Sequence, residues 1–204
     1  MRRHVAHPLD VVVPISLTRT DMGAQLHNVL RDYKYAEDED VRRRHRYHIA
    51  ALLLRFLSTH RGCIERAAGR PYDVLTVVPS KRGRAGAHPL EQAIELAPAL
   101  REIHQRLLDP GPGEIGRNRP AVDGFVARPA AGGRAVLLVD DTLTSGAKLQ
   151  SAAEALTAAG ATVVAGVVLG RVIDVSDPQR YPERAEFWRA RARVPFDFAT
   201  CCLE

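Results

Sequence analysis

Apolar positions in this chain fall into short runs and helical stripes that alternate along its length. Residues 9–17 and 73–79 carry runs that predict strands, whereas residues 24–35, about 40–60 and about 89–108 predict helices. Val136-Leu137-Leu138-Val139 has the look of a central parallel strand covered on both faces. Beyond it, Leu149, Ala152, Ala153 and Leu156 recur at i, i+3, i+4 and i+7, predicting a helix that begins near Gly146 and stops at Gly160. Strands alternating with helices imply an α/β fold with a mainly parallel central sheet flanked by helices. Residues 109–124 are too rich in Gly and Pro for regular structure, and a loop of that length inside a compact domain is a lid or disordered. After Ile173 the pattern breaks, and Phe187-Trp188 with residues 194–198 add a short tail in which Trp188 suits a packing anchor.

The chemistry concentrates directly after residues 136–139, where Asp140-Asp141-Thr142-Leu143-Thr144-Ser145-Gly146-Ala147-Lys148 joins the strand to the helix. Ligands of open α/β sheets bind beyond the carboxyl ends of such strands, so two adjacent carboxylates stand where a ligand belongs. The first turn of the helix offers unpaired N–H groups and the positive end of its dipole, and the Thr144 and Ser145 hydroxyls add donors, which together suit a phosphate. Carboxylates cannot hold phosphate directly, but they accept hydrogen bonds from ribose hydroxyls or anchor Mg²⁺ through water. The run therefore reads as a sugar-phosphate site. Neither a G-x-G-x-x-G turn nor a Walker loop occurs in the chain. The Lys148 ammonium either reaches the phosphate as a point charge or lies solvated on the helix.

Composition changes this picture little. The chain has 204 residues, 46% hydrophobic and 26% charged, enough for one full core. No stretch approaches ~20 apolar residues and the first residues lack an apolar signal core, so no membrane span or secretion is expected and the location expected is cytoplasmic. The three cysteines, two of them adjacent at Cys201-Cys202, lack disulfide or metal-ligand spacing and read as free thiols. The net charge of +5 suits a polyanionic substrate as well as nucleic acid. Arg42-Arg43-Arg44-His45-Arg46 on the second helix reads as a solvated face, whereas Ser80-Lys81-Arg82-Gly83-Arg84, a Gly-punctuated basic loop after a strand, suits pyrophosphate.

Residues 136–148 resemble the phosphoribosyl diphosphate (PRPP) motif of type I phosphoribosyltransferases, with four apolar residues, two acids and a Thr/Ser-Gly turn. Three further stretches resemble the ComF-like branch of that family: Asp73 to Arg84, Leu26 to Tyr35 with its Tyr33-Lys34-Tyr35, and Arg117-Asn118-Arg119 through Phe125. The chain departs from that branch in having no Cys before Cys63, hence no N-terminal four-Cys zinc module. It also has Gly86-Ala87-His88-Pro89 in place of an aromatic-Asn-Gln, and Lys148 where Thr or Ser is usual.

The resemblance implies a type I phosphoribosyltransferase-like fold in one domain over residues 1–204. Its core would span about 24–173, and residues of about 1–23 and 174–204 would supply a small hood that selects the acceptor. It further implies transfer of 5-phosphoribosyl from PRPP to an unidentified small-molecule acceptor, with Mg²⁺ present and pyrophosphate released. Asp140 and Asp141 would hold the ribose and, through water, Mg²⁺. Thr142, Thr144, Ser145, Gly146, Ala147 and Lys148 would hold the 5-phosphate side, and Ser80, Lys81 and Arg82 the pyrophosphate. Arg117 and Arg119 belong to the loop that would close as a lid. A homodimer is the assembly allowed for. The competing class is a non-catalytic PRPP-binding sensor or a ComF-like DNA-uptake accessory protein, for which nucleic acid would be the partner.

Overall fold

A computed structural model describes residues 5–19, 25–80, 87–195, 197–200 and 203. Lys81, Arg82, Cys201 and Cys202 lie outside the described residues. The chain forms β1 (Val12–Arg19), α1 (Gln25–Tyr35), α2 (Glu39–Ala68), β2 (Val74–Val77), α3 (Pro89–Glu95), α4 (Pro98–Ile103), β3 (Leu108–Pro110), β4 (Phe125–Ala127), β5 (Ala135–Leu143), α5 (Ala147–Ala158), β6 (Thr162–Ile173) and α6 (Pro182–Ala192). Four strands make one sheet in the order β1-β6-β5-β2, every neighbouring pair parallel, and β3 and β4 form a separate antiparallel hairpin. The α/β class and the parallel sheet expected from the sequence are therefore present.

Helices cover both faces of the sheet. Leu137 and Val139 of β5 pack with the apolar sides of α1, α2, α3 and α4. Val136 and Leu138, one residue out of step, pack with α5 and the β3–β4 hairpin. Strand period two distributes the run between two cores, as burial on both faces requires. Between Val136 and Leu137 the β5–β6 register shifts: Val136 faces Val163 but Leu137 faces Ala165, so the extra residue sits in β6.

Several element boundaries differ from the sequence reading. The helix expected over 89–108 is two short helices, because Pro98 cannot donate to a continuing helix and instead starts α4. Past α4, the Gln105 N–H bonds to the Leu75 carbonyl (2.9 Å) and the Leu107 N–H to the Thr76 hydroxyl (3.1 Å), so the chain runs beside β2. The helix expected over 40–60 continues to Ala68, where Gly69 closes it at φ 72. Arg42, Arg43 and Arg46 pair with Glu39 and Asp40 at its start; Arg43 and Arg44 are exposed as expected of a solvated face, whereas Arg42, His45 and Arg46 are half-buried. Residues 109–124 are more regular than their Gly and Pro content suggested: Asp109 and Pro110 lie in β3, and Gly111 and Gly113 donate to the Gly124 and Asp123 carbonyls at 3.0 Å each.

At the ends of the chain, β1 lies in the main sheet against β6, so residues 12–19 of the segment expected to serve as a hood are sheet edge. The tail contains the unforeseen helix α6, with Trp188 under the Arg19 guanidinium at 5.5 Å. Phe198 packs on α2, where Arg55 lies over its ring at 4.2 Å and its carbonyl meets the His60 ring nitrogen at 2.6 Å. Among the described residues no helix is long and apolar enough to cross a membrane.

Gly166 lies where β6 is wedged between the two faces: a Cβ there would stand 2.8 Å from Leu149 Cδ2 and 2.9 Å from Leu9 Cδ2. Overpacking of this kind costs about 1–3 kcal/mol. Gly166→Ala should lower stability by that amount in urea denaturation, and an unchanged midpoint would show that Leu9 and Leu149 can step aside without cost.

Candidate functional site

Strand β5 does not end at the acidic pair but continues through it to Leu143, because the long strand β6 offers pairing as far as Thr142↔Gly170 and Leu143↔Arg171. This corrects the expectation that both carboxylates stand together past the strand. Inside a strand, adjacent side chains point to opposite faces. Asp141 follows Leu137 and Val139 toward α1, and Asp140 follows Val136 and Leu138 toward α5. On its other side β5 is paired less far: β2 ends at Val77, and just past it the Val78 N–H bonds to the Val139 carbonyl (2.9 Å). Ser80 follows just past the end of β2, the strand that neighbours β5 on this side.

Both carboxylates are buried, Asp140 3% exposed and Asp141 5%. Asp141 Oδ2 accepts a hydrogen bond from the hydroxyl of Tyr33, a fully buried residue of α1, and forms an ion pair with Lys34. Asp140 Oδ1 lies 3.3 Å from Lys148 Nζ in the first turn of α5 and accepts the Asp141 N–H at 2.9 Å. Burial pushes the Asp140 carboxyl above the usual carboxylate range, Lys148 opposes the rise without cancelling it, and the charge on Asp141 adds to it. Burial acts in the same direction on Asp141, but the Lys34 ammonium and the bonds from Lys34 and Tyr33 outweigh it and hold that carboxyl below the usual range. Two neighbours of identical chemistry thus part company: Asp141 is a standing anion, and Asp140 keeps a proton more readily.

The turn between β5 and α5 has the form expected of it. Gly146 takes φ 79, a left-handed conformation that favours glycine, and stands at the N-cap of the twelve-residue α5 without a side-chain cap. Ser145 Oγ accepts only a long 3.4 Å bond from the Ala147 N–H. A cavity of about 360 Å³ adjoins this turn, walled by Asp140, residues 142–149 and Ile115, Gly116 and Arg117 of the loop. Thr142, Thr144, Ser145, Gly146, Ala147 and Lys148 are thus brought together with Asp140 around one opening. Asp141 is not on its wall, since its carboxylate lies across the strand.

The two loop arginines separate. Arg117, at the tip of a turn closed by the Gly116–Arg119 bonds (3.0 and 3.2 Å), borders the cavity beside α5. Arg119 instead lines a cavity of about 610 Å³ walled only by residues of the 113–123 segment itself. Ala121 ties the loop to α5 by an N–H bond to Ser151 Oγ at 2.9 Å. Two residues that the sequence did not single out as site residues, Tyr33 and Lys34, make the closest contacts to Asp141. Their helix was marked only through its resemblance, and no local pattern links them to a carboxylate 108 positions beyond Tyr33.

No family model and no curated protein matches this chain. The site combines a buried anion, a second carboxyl that holds its proton more readily, and an uncapped helix N-terminus that suits an anionic group.

Removing one partner of a buried ion pair leaves an uncompensated charge, at a cost of about 3–5 kcal/mol. Lys34→Met should cost that much at pH 7. Because the native Asp141 pKa is depressed, its stabilising contribution is present above the unfolded carboxyl pKa of about 3.9 and is lost as pH falls through the folded value. The deficit of Lys34→Met should accordingly shrink on acidification below pH 4. Urea denaturation at a series of pH values measures this, and a deficit independent of pH would assign Lys34 to packing rather than charge.

Proposed function

We propose that the protein is a phosphoribosyltransferase of the type I kind that binds PRPP and transfers its 5-phosphoribosyl group to a small-molecule acceptor with release of pyrophosphate. The observation that carries this reading is the placement of Asp140, the Thr144 and Ser145 hydroxyls, Lys148 and the uncapped start of α5 around one cavity at the carboxyl edge of a parallel sheet. The first turn of α5 would hold the 5-phosphate through its N–H groups, the hydroxyls and Lys148. This grip is remote from the reacting carbon and therefore serves to orient it. The acceptor's lone pair forms the bond to C1 as the C1–O bond breaks, and that electron pair leaves with the pyrophosphate. Asp140, on the cavity wall, would favour the positive charge that develops at C1, and Asp141, held ionised by Lys34 on the other face of β5, would add to that field without touching the ligand. Asp140 would accept from a ribose hydroxyl once Lys148 turns to the phosphate. Ser80, Lys81 and Arg82 would face the departing pyrophosphate, and Arg117 on its turn would close over the cavity, with Arg119 behind it. Helix α6 borders the far side of the same turn and is the tail element suited to act as a hood.

Mg²⁺ is proposed as a passenger of the diphosphate. Asp140 and Asp141 point to opposite faces of β5 and each faces a lysine, so they make no shared cage for a cation. Contact through water with an ion already bound to phosphates suits them better, and Mg²⁺ is commonly held in that way.

A second reading, PRPP binding without turnover in a sensor or DNA-uptake accessory, draws on one observation: Lys148 occupies the carboxylate that a ribose hydroxyl would need. Calorimetry and turnover separate the two readings. PRPP should bind in the presence of Mg²⁺, with Asp140→Asn, on the cavity wall, weakening binding by about 1–3 kcal/mol, the scale of a lost charged hydrogen bond. With pooled nucleobases, amines and small aromatic acceptors, pyrophosphate should be released, and Lys81→Ala should lower kcat more than it raises KM. Absence of heat with millimolar PRPP would remove both readings; binding without acceptor-dependent release would favour the second.

Closure of the loop has its own measurement. Saturating PRPP should slow proteolysis at Arg117 and Arg119 together with their amide exchange. Equal rates with and without PRPP would end the lid assignment and leave the binding site untouched.

A further inference from the structure

Beside the β5–α5 turn lies another cavity of about 260 Å³, which shares Arg117, Thr144 and Ser145 with the first but is not bordered by Asp140; Asn118, residues 171–174 and Arg184 complete its wall. Its three guanidiniums come from three separate parts of the chain: Arg117 from the loop, Arg171 from the end of β6 and Arg184 from α6. The parallel register sets Arg171 opposite Leu143, one residue before the turn. Arg184 is steadied by Tyr181, whose ring its guanidinium covers at 4.0 Å. The one acid in the wall, Asp174, is already engaged: it accepts from the Ser176 N–H at 3.1 Å and the Ser176 hydroxyl at 2.6 Å, and Arg117 approaches it only to 3.8 Å. Three arginines face one carboxylate in the wall, and Glu183 approaches Arg184 to 4.0 Å from outside it, so positive charge still exceeds negative, and the hydroxyls of Thr144 and Ser145 add donors. Fixed planar donors of this type pair preferentially with phosphate and carboxylate oxygens.

We propose that this cavity is a second anion site, and that it takes the dianion of a phosphate monoester. The site stands on its own residues, Arg171 and Arg184, and does not depend on what occupies the cavity beside Asp140. Since Thr144 and Ser145 wall both cavities, the phosphate is carried either by a second molecule or by a second phosphate group of one ligand spanning the turn.

Inorganic phosphate titrated into the full-length chain tests the site, with sulfate as an anion whose charge does not change with pH. Phosphate should bind more tightly at pH 8 than at pH 6, because inorganic phosphate becomes a dianion over that range, with a second pKa of about 7, above the roughly 6 of a phosphate ester, while sulfate binding should stay level. The double variant Arg171→Gln/Arg184→Gln should weaken phosphate binding at this site by about tenfold or more, as expected for a lost charge-assisted bond. Arg171→Lys/Arg184→Lys should recover part of it. Both positions lie at least partly in solvent, and an unchanged thermal midpoint verifies the fold of each variant. Repeating the titration with PRPP present separates the sources: displacement means one ligand spans both cavities, and additive binding means a second molecule, each consistent with the site. Phosphate affinity unchanged in the double glutamine variant overturns the proposal. So does a variant that loses duplex DNA binding while keeping phosphate binding, which would give the arginines to a nucleic-acid surface. Failure of PRPP to bind would count against the phosphoribosyltransferase reading alone, since the arginine dependence of phosphate binding is measured without PRPP.

Discussion

Burying two adjacent carboxylates is the demand around which this molecule is arranged. Val136, Leu137, Leu138 and Val139 are fully buried, and each such side chain contributes about 1.5–3 kcal/mol, which drives β5 to the middle of the sheet. The same strand carries Asp140 and Asp141 into a medium where an unpaired charge costs several kcal/mol. The apolar gain tolerates that cost only because a cation waits on each face, Lys34 on α1 and Lys148 on α5. Apolar packing sets both helices against the sheet, and the difference in proton affinity between the two acids follows from burial opposed more strongly by Lys34 than by Lys148.

Much of the frame was readable in the sequence because it is local. The four-residue run gave β5, the Leu149-Ala152-Ala153-Leu156 stripe gave α5, and Gly160 does take a left-handed φ of 83 after it. Elements were misjudged where a local rule met a longer context. Pro98 split an apolar stretch that reads as one helix, and α6, with no buried face of its own, left no apolar stripe to find. The acidic pair was visible, but its geometry was not. Whether Asp140 and Asp141 share a loop or divide between two faces depends on how far β6 extends beside them, which is a property of another strand. The contacts of Tyr33, Lys34, Arg171 and Arg184 depend on chain crossings far away in sequence, where no spacing rule applies.

The ion pairs also set the terms on which any ligand enters. Lys148 lies between an acid it already neutralises and a turn that suits an anion, so binding a phosphate there exchanges one electrostatic partner for another instead of filling a bare positive site. Lys34, only 18% exposed and committed to Asp141 together with Tyr33, has no such freedom. One lysine can respond to a ligand, and the other belongs to the frame.

The register shift near Val136 acquires a meaning from this division. A strand's faces are a matter of parity, and the identities of Asp140 and Asp141 are fixed by whether each stands an even or odd number of residues from Val136. The extra residue is accommodated in β6, where it bends a neighbouring strand, and none is inserted within β5. The parity of β5, and with it the face of each acid, is therefore untouched by that extra residue. A single inserted residue between Val136 and Asp140 would exchange their faces, presenting to Lys34 the carboxyl built for Lys148 and leaving the composition of the site intact but its wiring reversed.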